Sequence, residues 1–317
     1  MNNKSSTRAI LEGAMMTALT VVLVLAGFYI PFMSLLVFIT PVPLSMVFLR
    51  QGFKAGVITV ITSILILLIF LDPISIISMA SLFLVGIALG YTIYRKMKTF
   101  SIIVVTFFTS LFSMITYFVV MTKILGIKIA DTMFKSLEES KNMTLMFYKQ
   151  LGIKEDSYNQ ISTMLSSLTE TTKILLPLGL IIGSLLIAIV NFYLLSIILK
   201  RTGYQKIEPL PSFETWRLPT SISIFFVLVV LLNLFLSKYN IPNMNVILIN
   251  SFMAFMIAFF VDGMAVIYYF MKKYNWSKVA KTLIIISSLF IPMFTQILAF
   301  VGLIDVAIDL RKVFDRK

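Results

Sequence analysis

Only a few residues in this sequence are equipped for chemistry, and nearly all of them are carboxylates. The 317 residues include no histidine and no cysteine. That excludes the commonest general base, thiolate nucleophiles, disulfides and thiolate or imidazole metal sites. Asp262, in Phe260-Val261-Asp262-Gly263, lies inside a long apolar run, about 14 Å along a helix from its basic end. Asp305 closes another run, Gly302-Leu303-Ile304-Asp305, with Asp309 one turn on. A carboxylate at membrane depth costs about 2.5–3.5 kcal/mol on insertion scales, so each needs a partner or a task. For Asp262 the choices are a hydrogen bond between helices or to a kinked backbone, a coupling ion, or a bound ligand. Paired with Asp305 it would supply the two proton-sharing carboxylates of an intramembrane aspartyl protease. Asp305 lies at the membrane edge, however, and the usual surroundings of such enzymes are missing.

Two other places invite a ligand. Asp72-Pro73 is a turn and helix-start device, or else a contact for a solute entering from outside, helped by Ser75 and Ser78. Pro41 and Pro43, in Thr40-Pro41-Val42-Pro43, remove two backbone donors and leave carbonyls unpaired at membrane depth. Such a break is tolerated only beside protein or a water-filled cavity, and transporter sites are commonly built at one. It is equally a kink packed against the first helix. The candidate solute-binding set is therefore Pro41, Pro43, Asp72, Ser75, Ser78 and Asp262. No catalytic residue, metal ligand or cofactor is expected. The phosphate loop GxxxxGK[ST] is absent, so the chain does not power itself by that route.

The elements that must position these residues follow from composition. The sequence is 59% hydrophobic and 13% charged, with mean hydropathy +0.98, whereas soluble domains average about 45–50% apolar and about 25% charged. Apolar runs of membrane-spanning length recur, and continuous runs rather than alternating ones exclude a membrane barrel. An all-α polytopic bundle of about eight to nine spans is expected, near 10–30, 33–49, 55–71, 74–94, 101–122, 174–199, 218–237, 245–271 and 281–304. Pro292 divides the last, which is either one kinked span or a hairpin; the kinked span is slightly favoured. The first run is too long for a signal-peptide core, so no cleavable leader is expected.

The net charge of +13 does not point to nucleic acid, because Lys and Arg gather at the ends of apolar runs and no basic face with interleaved aromatics occurs. Lys4 and Arg8, Arg50 and Lys54, Arg95, Lys96 and Lys98, Lys200, Arg201 and Lys206, and Lys272, Lys273, Lys278 and Lys281 alternate with loops nearly free of basic residues. This positive-inside pattern places the N-terminus in the cytoplasm of a multi-pass cell-membrane protein in contact with anionic lipid. It puts the polar insert 123–173 outside, read as a helical hairpin on the outer surface or a lid. The expected division is residues 1–200, insert included, and residues 201–317.

On the first helix Ala14 and Ala18 share a face, four residues apart, where a partner helix could approach closely. The basic start, this alanine pair, the proline-broken second span and the turn Arg50 to Gly56 resemble the substrate-binding S components of energy-coupling-factor vitamin transporters, over about the first 120 residues and the sixth span. The resemblance implies a six-helix front holding a small solute near the outer face. It also implies a membrane coupling protein with ATPases as partner, reached through Ala14 and Ala18. The whole chain, including Gly302-Leu303-Ile304-Asp305 and Asp309-Leu310-Arg311-Lys312, resembles the YybS-like family of bacterial membrane proteins. The expected function is non-enzymatic small-solute binding or uptake, with a separate energising partner. The alternative is a membrane scaffold or regulator that binds protein partners.

Overall fold

The computed structural model describes residues 3–152, 154–203, 207–236, 239 and 241–315, apart from the side chains of residues 3–6 and 8. Of the charge pattern above, Lys206 and the side chains of Lys4 and Arg8 lie outside the described residues. Among those residues all regular structure is helical: α1 Asn3–Tyr29, α2 Pro41–Phe70, α3 Pro73–Tyr94, α4 Thr99–Val119, α5 Ile129–Gln150, α6 Glu155–Thr202, α7 Ser221–Leu236, α8 Met244–Lys273, α9 Lys278–Phe290, α10 Pro292–Ile308 and α11 Leu310–Asp315, with short 3₁₀ turns at Ser34–Ile39 and Phe213–Thr215. Among the described residues six helical segments are long and apolar enough to cross a membrane, or seven if α9 and α10 together make one. That count takes residues 34–70 as one segment and leaves out α7, which has 16 described residues; the expected stretches 33–49, 55–71 and 218–237 lie there. Large side chains such as Ile61, Leu65 and Ile69 stand more than half exposed. In water that much apolar surface would be a liability; against lipid it costs nothing.

The chain forms two compact units, Met1–Thr163 with Gly179–Leu210, and Met164–Leu178 with Pro211–Lys317. α6 contributes to both, whereas the sequence reading divides the chain near residue 200.

In the first unit α1 turns Thr17, Thr20, Val21 and Val24 inward, at the i, i+3, i+4, i+7 spacing of one helix face. The break expected at the two prolines falls just before them, at Thr40. Pro41 and Pro43 therefore occupy the first turn of α2, where a missing N–H is harmless. The carbonyls expected to be unpaired there have partners. Val37 O accepts from Thr40 Oγ1 at 2.8 Å, Phe38 O from Asn191 Nδ2 at 2.9 Å and Pro41 O from Ser45 Oγ at 2.6 Å. Gly52 has φ 83°, which only glycine adopts cheaply, and divides α2 into two legs. A Cβ on Gly56 would fall on the Phe48 ring, an i to i+8 contact that a straight helix, rising about 12 Å over that separation, cannot make. The legs therefore fold against each other, matching the stretches 33–49 and 55–71.

In the second unit Phe226 packs edge-on to Phe255 and Phe259. Pro177 interrupts α6, and the side chain of Asn250 on α8 fills the gap, donating to Ile174 O at 2.7 Å and accepting from Leu178 N at 3.0 Å. α9 and α10 meet at 102° across extended Ile291, far more than a proline kink. The chain leaves the Lys273 end of α8 and returns to it, since Lys273 Nζ bonds Asp315 Oδ1 at 2.7 Å and the Phe314 ring meets Phe270. The final helices thus form a hairpin bent at Ile291 that returns to the end of α8 it left, whereas the sequence slightly favours one kinked crossing.

Candidate functional site

The sequence reading gives its site candidates from two regions, and the structure treats them differently. Pro41 and Pro43 are buried, within an unbroken buried run from Thr40 to Leu49. α3 presses on that run closely: a Cβ on Gly86 would stand 3.0 Å from Pro41 O, and one on Gly90 would stand 2.8 Å from Ser45 O. Asp72 is spent on capping α3. Its Oδ1 accepts from the amides of Ile74 and Ser75 at 2.9 and 3.0 Å, and its Oδ2 accepts from Ser75 Oγ at 2.5 Å. These bonds, that from the Ser75 hydroxyl foremost, hold the Asp72 carboxyl below its ordinary value. Ser78 donates to Ser75 O at 2.7 Å. Ala14 and Ala18 face outward on α1 beside Leu11, Met15 and Val22. Glu12, which the sequence reading passes over, bonds Arg50 at 2.9 Å and Gln51 at 2.5 Å.

Asp262 belongs to a different constellation in the second unit. Gly263 and Gly302 let α8 and α10 cross so closely that a Cβ on either would run into the opposite backbone. Asp262 precedes the first glycine and Asp305 follows the second by three, so the crossing itself carries both carboxylates inward. They are 2% and 0% exposed. α10 ends at Asp309, in the left-handed region, and the turn swings Arg311 of α11 back between them. Its Nη2 lies 3.0 Å from Asp305 Oδ2 and 3.5 Å from Asp262 Oδ1, and its Nη1 donates to Glu214 O at 2.7 Å. Asp262 Oδ1 also accepts from Leu218 N at 3.0 Å. Arg217 adds a second cation, with Nη1 2.6 Å from Asp309 Oδ2 and Nε 3.7 Å from Asp305 Oδ2. Beyond it Glu214 pairs with Lys272, which holds the Glu214 carboxyl below its ordinary value.

This node ties α8, α10, α11 and the segment 213–218 together, with Lys312 Nζ 3.1 Å from Asp309 Oδ2 as its outermost cation. A guanidinium nitrogen between two carboxylates is not the geometry in which they share one proton. Three buried atoms of the node have no hydrogen-bond partner: Asp262 Oδ2, Asp305 Oδ1 and Arg311 Nε. Among the described residues no group of three or more metal-ligating side chains is placed to hold an ion. The sequence alone singles out Asp262 and Asp305, brings in Arg311 only within the family-like ending Asp309-Leu310-Arg311-Lys312, and does not mark Arg217. The signal that could have found Arg311 is a cation six residues after Asp305 and two after Asp309; no spacing points to Arg217.

Long apolar helices, a glycine crossing and a buried ion network joining α8, α10, α11 and the segment 213–218 define a multi-pass helical membrane protein. Residues 18–306 match the family described as "Predicted membrane protein (DUF2232)", and the chain belongs to that family. It is 24% identical over 306 residues to "Uncharacterized protein YybS" of Bacillus subtilis (strain 168), covering 96% of this chain and 98% of that protein. No solved structure matches.

Proposed function

We propose that this protein is a non-enzymatic component of the cell membrane, a scaffold or regulator that works through a membrane partner docked on α1. The observation carrying this is the face of α1. Gly13 packs on Thr59, and Thr17, Thr20 and Val21 stand in the core of the unit, while Ala14 and Ala18 stay exposed. Small residues on a helix face allow a second helix to approach closely, and in lipid that approach is the main source of helix association. The resemblance of the front to S components, whose partner face is this alanine pair, supports the same reading. The charge alternation supports an N-terminus in the cytoplasm, with the Lys272–Lys273 end of α8 on that side too.

Solute uptake with an energising partner is the second reading. Its support is the node: buried carboxylate oxygens without partners are what a coupling ion would need. The close packing of α3 on Pro41 to Leu49 weighs against a solute chamber there and favours the scaffold.

The test is a double Ala14→Leu, Ala18→Leu variant expressed at the native level. Loss of a co-purifying membrane protein, with unchanged thermal unfolding, is the expected result; an unchanged set of partners would refute the docking face. A panel of vitamins and monovalent and divalent cations in a thermal-shift assay separates the two readings. The scaffold shows no shift, whereas a saturable shift transfers the assignment to uptake.

A further inference from the structure

The joint between α3 and α4 holds a cavity of about 350 Å³, lined by Ile93, Lys96, Met97, Lys98, Ile102 and Ile207, with Glu208 at its rim. Its floor is apolar, since Ile93 and Ile102 are each 1% exposed and belong to a core with Phe192, Leu195 and Leu199. Its lip is basic. Lys96, at φ 55°, and Lys98 are both exposed, and neither has a carboxylate partner among the described residues. Arg95 is not part of the site, because it lies over the Tyr91 ring and donates to the Tyr91 hydroxyl at 3.0 Å. The walls are fixed. Lys96 N bonds Ile93 O at 2.8 Å, Met97 N bonds Thr92 O at 3.2 Å, and Thr99 Oγ1 donates to Glu208 O at 2.6 Å, fastening the extended segment 207–210 across the α4 start.

An apolar floor under two ammonium groups, neither in an ion pair among the described residues and together outnumbering the one carboxylate of the lining, suits a molecule that is anionic at one end and greasy next to it. The cavity opens where two apolar helices end, the level at which lipid headgroups lie. We infer that it holds the phosphate group of one anionic phospholipid, with Lys96 and Lys98 as phosphate ligands and the glycerol region against Met97 and Ile207. A soluble phosphate ester would present the same charge without the apolar part. Glu208 faces the same anion and weakens its binding. The site is independent of the α1 face.

The experiment uses the full chain in a zwitterionic detergent, titrated with phosphatidylglycerol, phosphatidylcholine or inorganic phosphate, and counts bound lipid by native mass spectrometry. Phosphatidylglycerol is expected to bind in preference to phosphatidylcholine. The Lys96→Gln, Lys98→Gln double variant is expected to bind it about twenty-five-fold more weakly, about fivefold per lysine. Glu208→Gln is expected to bind it more tightly. Because all three side chains are exposed, unfolding without lipid serves as the control and is expected not to change. Equal binding of the two lipids, or binding indifferent to both lysines, would overturn the site. Inorganic phosphate binding as tightly as the lipid, with the same lysine dependence, would overturn the lipid assignment in favour of a soluble phosphate ester.

Discussion

Arg311→Met is the substitution that most sharply tests how the C-terminal unit is held. The side chain is 10% exposed and contacts Asp262, Asp305 and the Glu214 carbonyl at 3.5, 3.0 and 2.7 Å. Methionine keeps the apolar stem but leaves two carboxylates, 2% and 0% exposed, facing each other with only the more distant Arg217 as counter-ion. Breaking a buried ion pair by removing one partner costs about 3–5 kcal/mol, because the charge left behind has no compensation. The loss of the Glu214 bond adds about 1 kcal/mol. Replacing the whole set is a different matter, since a buried ion cluster is often no more stable than neutral groups of similar size. The triple variant Arg311→Met, Asp262→Asn, Asp305→Asn should therefore recover most of the loss, because the carboxamide oxygen introduced at position 262 still accepts from the Leu218 amide. Unfolding in mixed micelles would read both. Trp216 is a local probe, its indole N–H bonded to Pro211 O at 2.9 Å and its ring against Phe213. A single variant that costs under about 1 kcal/mol would refute the reasoning. So would a triple variant no more stable than the single one.

Other outcomes follow from the same packing. Gly263→Ala or Gly302→Ala should each destabilise the protein by about 1–3 kcal/mol, because the α8–α10 crossing leaves no room for a Cβ; unfolding midpoints measure it. Asn250→Leu strips the partners from Ile174 O and Leu178 N and should cost about 1 kcal/mol, seen as faster amide exchange at Leu178. Asp72→Ala should speed exchange at Ile74 and Ser75. Because the folded carboxyl lies below its ordinary 3.8, that cap is fully present above about pH 4 and fades as pH falls through the lower folded value. Wild type and variant should converge there, and a difference that persists in acid would contradict it. Cysteines placed singly at Asn275 and Val313, in a chain with none of its own, should label from the same side of the membrane. Labelling from opposite sides would remove the hairpin.

Much of the architecture could be read from composition, because uninterrupted apolar runs in a chain with so few charges have little choice but membrane helices. The turn at Gly52 was visible too, as a short basic link between two apolar runs. The meaning of the prolines was not. Residue type alone says that Pro41 and Pro43 lack donors, but not that the chain breaks one residue earlier, nor that Asn191, far along the sequence, supplies Phe38 O. The same holds for the hairpin at Pro292, since a proline announces a bend and never its angle. Asp262 and Asp305 stood out because a carboxylate in an apolar run is costly. Arg217 and Arg311 did not, because a basic residue near the end of a span has a ready explanation in orientation. Asn191 and Asn250, polar residues inside apolar runs, carry no mark in the sequence of what they do: each donates to backbone freed by a break in another part of the chain.

The claim with most at stake is that a partner helix covers the alanine face of α1. Single cysteines at Ala14, Ala18 and, as the inward control, Thr17 can be introduced without background, and cross-linked in native membranes with a short thiol-reactive photoprobe. The account expects an adduct with one membrane protein from positions 14 and 18 and none from position 17, which is 4% exposed. Labelling of lipid alone from all three positions would contradict it.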